Sequence, residues 1–220
     1  MSHRLFTVTS VYEYSGLLPH FLEHYTRLGV ERIFMVVRTP VRDSCFFRAL
    51  EAAAARPATV KWVSCTRFCD PEKAAVEETS LQEGGVGPDD YVMHVDLDEF
   101  HEYPAPLQDV IGPLRTHRAP AVRGRLVDRV AESGELAPIR PEPDLGSQFP
   151  IGCNLTGMVL RGWTQKIMIC RARARLRGGV NHDALNTSYD RPPVGSDDEY
   201  IVHHFKWTEG VTSRLQSRLD

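Results

Sequence analysis

No stretch of this 220-residue chain is apolar for long enough to cross a bilayer. Met1-Ser2-His3-Arg4-Leu5 leads straight into a strand-like run, with neither the apolar core nor the cleavage site of a secretory leader. Cysteine is sparse: Cys45, Cys65, Cys69, Cys153 and Cys170 form an odd, scattered set with no CxxC pair. That excludes a disulfide framework, and Cys65 with Cys69 alone falls short of a structural zinc site. The expectation is a cytoplasmic protein with reduced thiols. A dominant charge is lacking too. The net charge is −3, so no global field gathers nucleic acid or an anionic membrane. Internal repeats are absent. What remains is ordinary: 42% hydrophobic and 25% charged residues, enough for one α/β domain with a sizeable core.

The first half alternates. Leu5–Val11 reads as a strand. A helix follows, with Leu18, Phe21, Leu22, Tyr25 and Leu28 on one face and Gly29 at its end. Arg32–Val37 is a second strand, Cys45–Ala55 a second helix closed by Pro57, and Thr59–Ser64 a third strand. Asp70-Pro71 opens a third helix, aspartate as cap and proline in the first turn, and Gly84-Gly85 ends it before a strand at Tyr91. This β-α-β-α-β-α-β order predicts a Rossmann-like, mostly parallel sheet flanked by helices. Such sheets bind ligands beyond the carboxyl ends of their strands.

Beyond Phe100 the pattern changes. Ala121–Val127, Lys166–Cys170 and Tyr200–Trp207 read as strands, joined by long connections rich in proline and glycine. Pro138 to Pro150 is the longest, and the part around Pro141 to Pro150 is, from its position, a candidate cover for a site. A last helix starts near Thr208 and is expected to bury Val211, Leu215 and Leu219. The chain is read as one domain, 1–100 its nucleotide half and 101–220 its acceptor half.

The most informative stretch is Tyr91-Val92-Met93-His94-Val95-Asp96-Leu97-Asp98-Glu99-Phe100. An apolar run stops at two carboxylates spaced i, i+2, which an extended chain points to one side. Hard oxygen donors at a strand end can hold Mn2+ or Mg2+, with water and substrate phosphates completing the shell. His94 shares their parity and is either a third ligand or a structural histidine. Glu99 is placed to fix a nearby group. Arg171, Arg173, Arg175 and Arg177 alternate as one basic face, either solvated or turned to an anion.

These residues resemble a GT-A-fold glycosyltransferase, the nucleotide-diphospho-sugar transferase fold, close to glycosyltransferase family 2. The likeness rests on Thr9-Ser10-Val11-Tyr12-Glu13 with Leu18-Pro19-His20-Phe21-Leu22-Glu23-His24-Tyr25, on the DxD-like Asp96-Leu97-Asp98, on Lys166 followed by Gly178-Gly179-Val180-Asn181-His182, and on His203-His204-Phe205-Lys206-Trp207. It implies that Asp96 touches ribose and metal, that Asp98 is the main metal ligand, and that a late histidine joins them. His203 is favoured over His204, since only one of two neighbours on a strand faces a cleft. It places Ser10 and Glu13 by the nucleotide base, both also candidates for capping a helix. Lys206 falls to the departing diphosphate and Arg38 to base or phosphate. Where the family's second strand often ends in an acidic residue, Arg38 stands here; either Asp43-Ser44 is its displaced equivalent or the base is held differently. Asp128 and Asp183 are the candidate general bases.

The expected activity is inverting, metal-dependent transfer of a sugar from a nucleotide diphosphate donor to a hydroxyl acceptor. Glycan, lipid-linked and small natural-product acceptors stay open. Nucleic acid and an integral membrane segment are not expected. The alternatives are a sugar-nucleotide-binding protein without transferase activity and a nucleotidyltransferase. The latter would want a glycine-rich phosphate loop, and Thr9 to Ser15 has no glycine.

Overall fold

A computed structural model describes residues 4–12, 16–65, 70–114, 121–174, 176, 182 and 194–216. Strand β1 (Leu5–Val11) is buried along its whole length, as a central strand covered on both faces must be. Helix α1 (Leu17–Arg27) lays Leu17, Leu18, Phe21, Leu22 and Tyr25 against the sheet, and the chain leaves it through Gly29 at φ 83°. Then come β2 (Arg32–Thr39), α2 (Ser44–Ala53), β3 (Ala58–Ser64), α3 (Asp70–Glu83) and β4 (Tyr91–His94). Leu5 and Val11 of β1 join the core shared with α1 and α2, while Phe6 and Val8 pack with Leu81 of α3. The helices therefore cover both faces, the α/β arrangement expected.

The second half supplies β5 (Glu99–Glu102), α4 (Leu107–Leu114), β6 (Ala121–Val130), α5 (Leu145–Gln148), β7 (Ile151–Cys153), α6 (Leu155–Leu160), β8 (Gln165–Arg171), β9 (Ile201–His204) and α7 (Val211–Gln216). The sheet runs β3-β2-β1-β4-β8-β6-β9-β5, with β7 beside β6. From β3 to β4 every pairing is parallel. Strand β8 is antiparallel to β4 and to β6, β9 is parallel to β6, and β5 is antiparallel to β9.

That order decides where the site lies. Strand β6 runs in the sense of β4, since both oppose β8, and β9 follows β6. The carboxyl ends of β4, β6 and β9 and the amino end of β8 therefore meet along one edge.

Several expectations shift. The segment at Asp96 does not stay extended: the Glu99 amide returns to the Asp96 carbonyl at 3.0 Å, and the chain turns into β5. Strand β9 stops at His204, short of Trp207. In α7 Val211 is buried but Leu215 only half-buried, and Leu219 lies outside the described residues. The proline-rich segment contains α5 and is stitched to the body, with the Arg140 carbonyl on His20 Nε2 at 2.8 Å and Phe149 fully buried. Strand β8 gives way to a turn after Arg171. There the Arg171 guanidinium donates to the Asp89 carbonyl at 2.7 Å and Arg173 pairs with the Asp89 carboxylate at 2.8 Å, so no continuous basic face forms over these residues. Arg175 and Arg177 lie outside the described residues.

A chain of rings backs the turn at Asp96–Glu99. Phe100 meets Phe21 at 6.2 Å and Phe205 at 5.2 Å, and Phe205 meets Phe149 at 5.9 Å. Tilted and edge contacts at such separations are the favoured aromatic geometry. They fix β5 and the end of β9 together behind the carboxylates.

Candidate active site

Asp96, in the turn after β4, is gripped from two sides. Lys73 of α3 bonds Oδ1, and Lys166, at the amino end of β8, bonds Oδ2 at 3.1 Å. Lys166 also reaches Glu99 Oε1 at 2.5 Å, and Glu99 Oε2 accepts from the Asp96 amide at 3.3 Å. Burial pushes the Asp96 carboxyl up, but Lys166 and then Lys73 outweigh it and hold the group well below the usual carboxylate range. Glu99, 1% exposed, goes the other way, raised by burial against the pull of Lys166. Glu99 thus fixes both the turn and the lysine.

Asp98 faces a different set. Its Oδ2 lies 3.5 Å from His204 Nε2, and His204 Nδ1 lies 2.8 Å from Asp128 Oδ1. Register explains the alignment: Asp128 stands beside His204 on the parallel β6–β9 ladder, so their side chains share a face. Asp128 is 1% exposed and accepts from the Thr156 amide at 2.5 Å and the Thr156 hydroxyl at 2.7 Å. Against burial, His204 and Thr156 lower the Asp128 carboxyl. For His204, burial pulls the imidazole down, yet Asp98 and Asp128 raise it to about 9. Lys206 lies close enough to help lower the Asp98 carboxyl, and the Asp98 carbonyl accepts from the Phe205 amide at 2.8 Å.

The structure redistributes several expected roles. Asp96 and Asp98, with Leu97 between them, lie in a turn and answer to different partners, because the reversal at Glu99 cancels strand alternation. His203 turns away: its Nε2 meets Glu102 at 2.6 Å, while His204 takes the side facing Asp98. Asp128, buried and accepting on both oxygens, is turned to His204 and Thr156 and orients the imidazole. Ser10 donates to Glu77 at 2.8 Å beneath α3, so its hydroxyl is committed there. Arg38, 3% exposed, bonds the Tyr12 hydroxyl, Cys65 Sγ at 3.3 Å and Glu72 at 3.2 Å. Asp43 caps α2, its Oδ1 accepting from the Cys45 and Phe46 amides at 3.0 and 3.3 Å. His94 Nδ1 faces Glu77 at 3.5 Å. Glu13 and Asp183 lie outside the described residues. His182 is close enough to Lys166 for that charge, after burial, to help lower its imidazole to about 4.

Two residues that the structure brings to this cluster carry weak sequence signals. Lys73 is one, although Lys73, Glu77 and Ser80 fall at i, i+4 and i+7, a polar stripe on the helix face turned to the sheet. His204 is the other, ranked behind His203 from sequence because its side is fixed only by the β6–β9 register.

Among the described residues no group of three or more His, Cys, Asp or Glu side chains is set to hold a metal ion. The donor chemistry nevertheless fits a divalent ion that takes most of its shell from substrate. Asp98 and His204 present one oxygen and one nitrogen toward each other, and a carboxylate orients the far ring nitrogen, the usual support for a ligating histidine.

No protein-family profile matches the chain, and no curated protein matches it in sequence. Among solved structures, a crystal structure of 4-diphosphocytidyl-2C-methyl-D-erythritol synthase is similar over 79% of this chain and 76% of that one, at 16% identity and a TM-score of 0.45. So slight a likeness carries nothing about chemistry. Among the described residues no helix is long and apolar enough to cross a membrane.

Proposed function

We propose that this chain is a GT-A-type glycosyltransferase that moves a sugar from a nucleoside diphosphate donor to a hydroxyl acceptor with inversion. It would act as one domain, residues 1–100 serving the nucleotide and 101–220 the acceptor. The observation that carries the reading is the convergence of Asp96, Asp98, Lys73, Lys166 and His204 on one edge of the sheet, where its parallel half meets antiparallel β8. Carboxylates beside ammonium groups suit a substrate that brings both phosphate oxygens and a metal.

Asp98 and His204, its Nε2 freed of the proton it holds toward Asp98, would hold Mn2+ or Mg2+, with Asp128 keeping the imidazole in orientation. When bound, the ion neutralises the charge that grows on the departing diphosphate. Lys206 adds a point charge to the same phosphates. Asp96 stays with Lys73 and Lys166, which brace the turn and present cationic groups at the donor's edge. Arg38 and Tyr12, a cation stacked 5.0 Å over a ring, close the end of β2 where a base would rest. With Asp128 committed to His204, Asp183 is left as the carboxylate to take the acceptor's proton.

The test is slow hydrolysis of UDP-, GDP- and dTDP-sugars by the purified chain with Mn2+. Asp98→Ala is expected to lose about a hundredfold or more in turnover. Turnover like that of the wild type would refute the metal assignment. Pyrophosphate release from a nucleoside triphosphate and a sugar phosphate would instead make the chain a nucleotidyltransferase. Metal-dependent donor binding with no hydrolysis would make it a binding protein.

A further inference from the structure

Two lysines grip Asp96, and they come from opposite sides of β4. Lys73 belongs to α3, whose Leu81 packs with Phe6 and Val8 of β1 and Phe34 of β2. Lys166 belongs to β8, which pairs with the other edge of β4. Along the sheet the strands run β2-β1-β4-β8-β6-β9. A donor whose base rests at the end of β2 therefore passes Lys73 first, then Asp96, then Lys166, with His204 of β9 beyond. Lys73 lies toward the base, and Lys166 toward the phosphate farther from it.

The two lysines are also held differently. The buried Lys166 is shared between two carboxylates, Asp96 Oδ2 at 3.1 Å and Glu99 Oε1 at 2.5 Å. Glu99 is itself pinned, since its Oε2 accepts from the Asp96 amide at 3.3 Å. Asp96 is shared in turn, its Oδ1 going to Lys73. Lys166 can thus release Asp96 without stranding a buried charge: it keeps Glu99, and Asp96 keeps Lys73. That matters, because a buried charge deprived of its partner is strongly destabilising. Among the described residues Lys73 has no second carboxylate in contact to fall back on. Asp96 is only half-buried, so the Lys166 ammonium lies one contact below the surface of the edge.

We propose that Lys166 meets the terminal phosphate of the donor's diphosphate, trading Asp96 for a phosphate oxygen, and that Glu99 is its positioning residue. The inference rests on the donor reading above and deepens it. Lysine suits such an exchange, being a compact charge with three donors on a flexible stem. Lys73 stays behind as the counter-ion of Asp96, whose charge would otherwise repel the diphosphate. When the bond from the sugar carbon to the terminal phosphate oxygen breaks, its electron pair stays on that oxygen. The acceptor oxygen bonds the carbon and gives its proton to Asp183. The Lys166 ammonium keeps its protons throughout and faces the charge left on the diphosphate.

Calorimetry of the full chain with Mn2+ tests this on three ratios of affinity: UDP to UMP, GDP to GMP, and dTDP to dTMP. Lys166→Met should weaken diphosphate binding roughly tenfold or more and leave the monophosphates nearly unchanged. Glu99→Gln keeps an oxygen for the Asp96 amide but loses the charge that holds the lysine. It should lower the same ratios by less. A Lys166→Met, Glu99→Gln double variant removes the pair together and leaves no orphaned Glu99 carboxylate, so it serves even where the single lysine variant does not fold. Its loss should equal that of Lys166→Met alone, as for two residues that act on one contact. Wild-type ratios in the double variant would overturn the role of Lys166. Losses that add would overturn the positioning role of Glu99. A wild-type chain that binds none of the three diphosphates would instead overturn the donor reading, and this inference with it.

Discussion

At His204 burial and two carboxylates pull in opposite directions, and the carboxylates win. With a folded value of about 9 against about 6.5 when unfolded, the native state holds this proton the more tightly. Its contribution to stability is therefore whole below pH of about 6.5 and is lost as pH rises through about 9. His24 is the opposite case. Burial lowers it to about 4, although its Nε2 meets the His101 carbonyl at 2.9 Å. The unfolded chain takes that proton first, so stability drops as pH falls from about 6.5 toward 4. Each group sets a slope of up to ~1.4 kcal/mol per pH unit within its window. Asp96 and Asp98, both depressed, add their losses at still lower pH. Denaturant titrations of the metal-free protein should peak near neutrality. His24→Gln should flatten the acid limb and His204→Gln the alkaline one. An unchanged acid limb in His24→Gln would remove His24 from the account.

Among the elements, β6 is the one on which the site is hung. It pairs with β7, β8 and β9, and it delivers Asp128 to His204. Its closeness to β8 depends on Gly124, where a Cβ would come within 2.1 Å of Met168 Sδ and 2.8 Å of the Tyr200 carbonyl. The sulfur can move but the carbonyl cannot, so Gly124→Ala should destabilise by about 1–3 kcal/mol, read as a lowered denaturation midpoint. Long periodic elements were legible in the sequence. The apolar spacing of α1 and the apolar runs of β1 and β2 announce themselves, and so does the strand that precedes Asp96. Strand β5 does not, because Glu99 and His101, polar residues, occupy its buried positions. The side on which His204 lies was hidden for a related reason. Only the pairing of β9 with β6 and β5, strands distant in sequence, sets its face. Helix α3 is legible as a helix, but its contact with Asp96 is not, since beside Leu81 the face it turns to the sheet carries Lys73, Glu77 and Ser80.

Over the whole molecule, topology brings distant segments to one edge: residue 73 from α3, 96 to 99 from the turn after β4, 128 from β6, 166 from β8 and 204 from β9. Lys73, Lys166, Lys206 and protonated His204 are thereby set among Asp96, Asp98, Glu99 and Asp128. The four possible positive charges face four carboxyl groups at close range. Charges so paired nearly cancel at a distance, and the site's field is folded back on itself. A nucleotide donor would meet no long-range funnel, only local trades of one counter-ion for another. Its association rate should change little between low and physiological ionic strength, where an open cationic groove would slow steeply, and stopped-flow binding of a fluorescent nucleoside diphosphate in graded NaCl would show which holds.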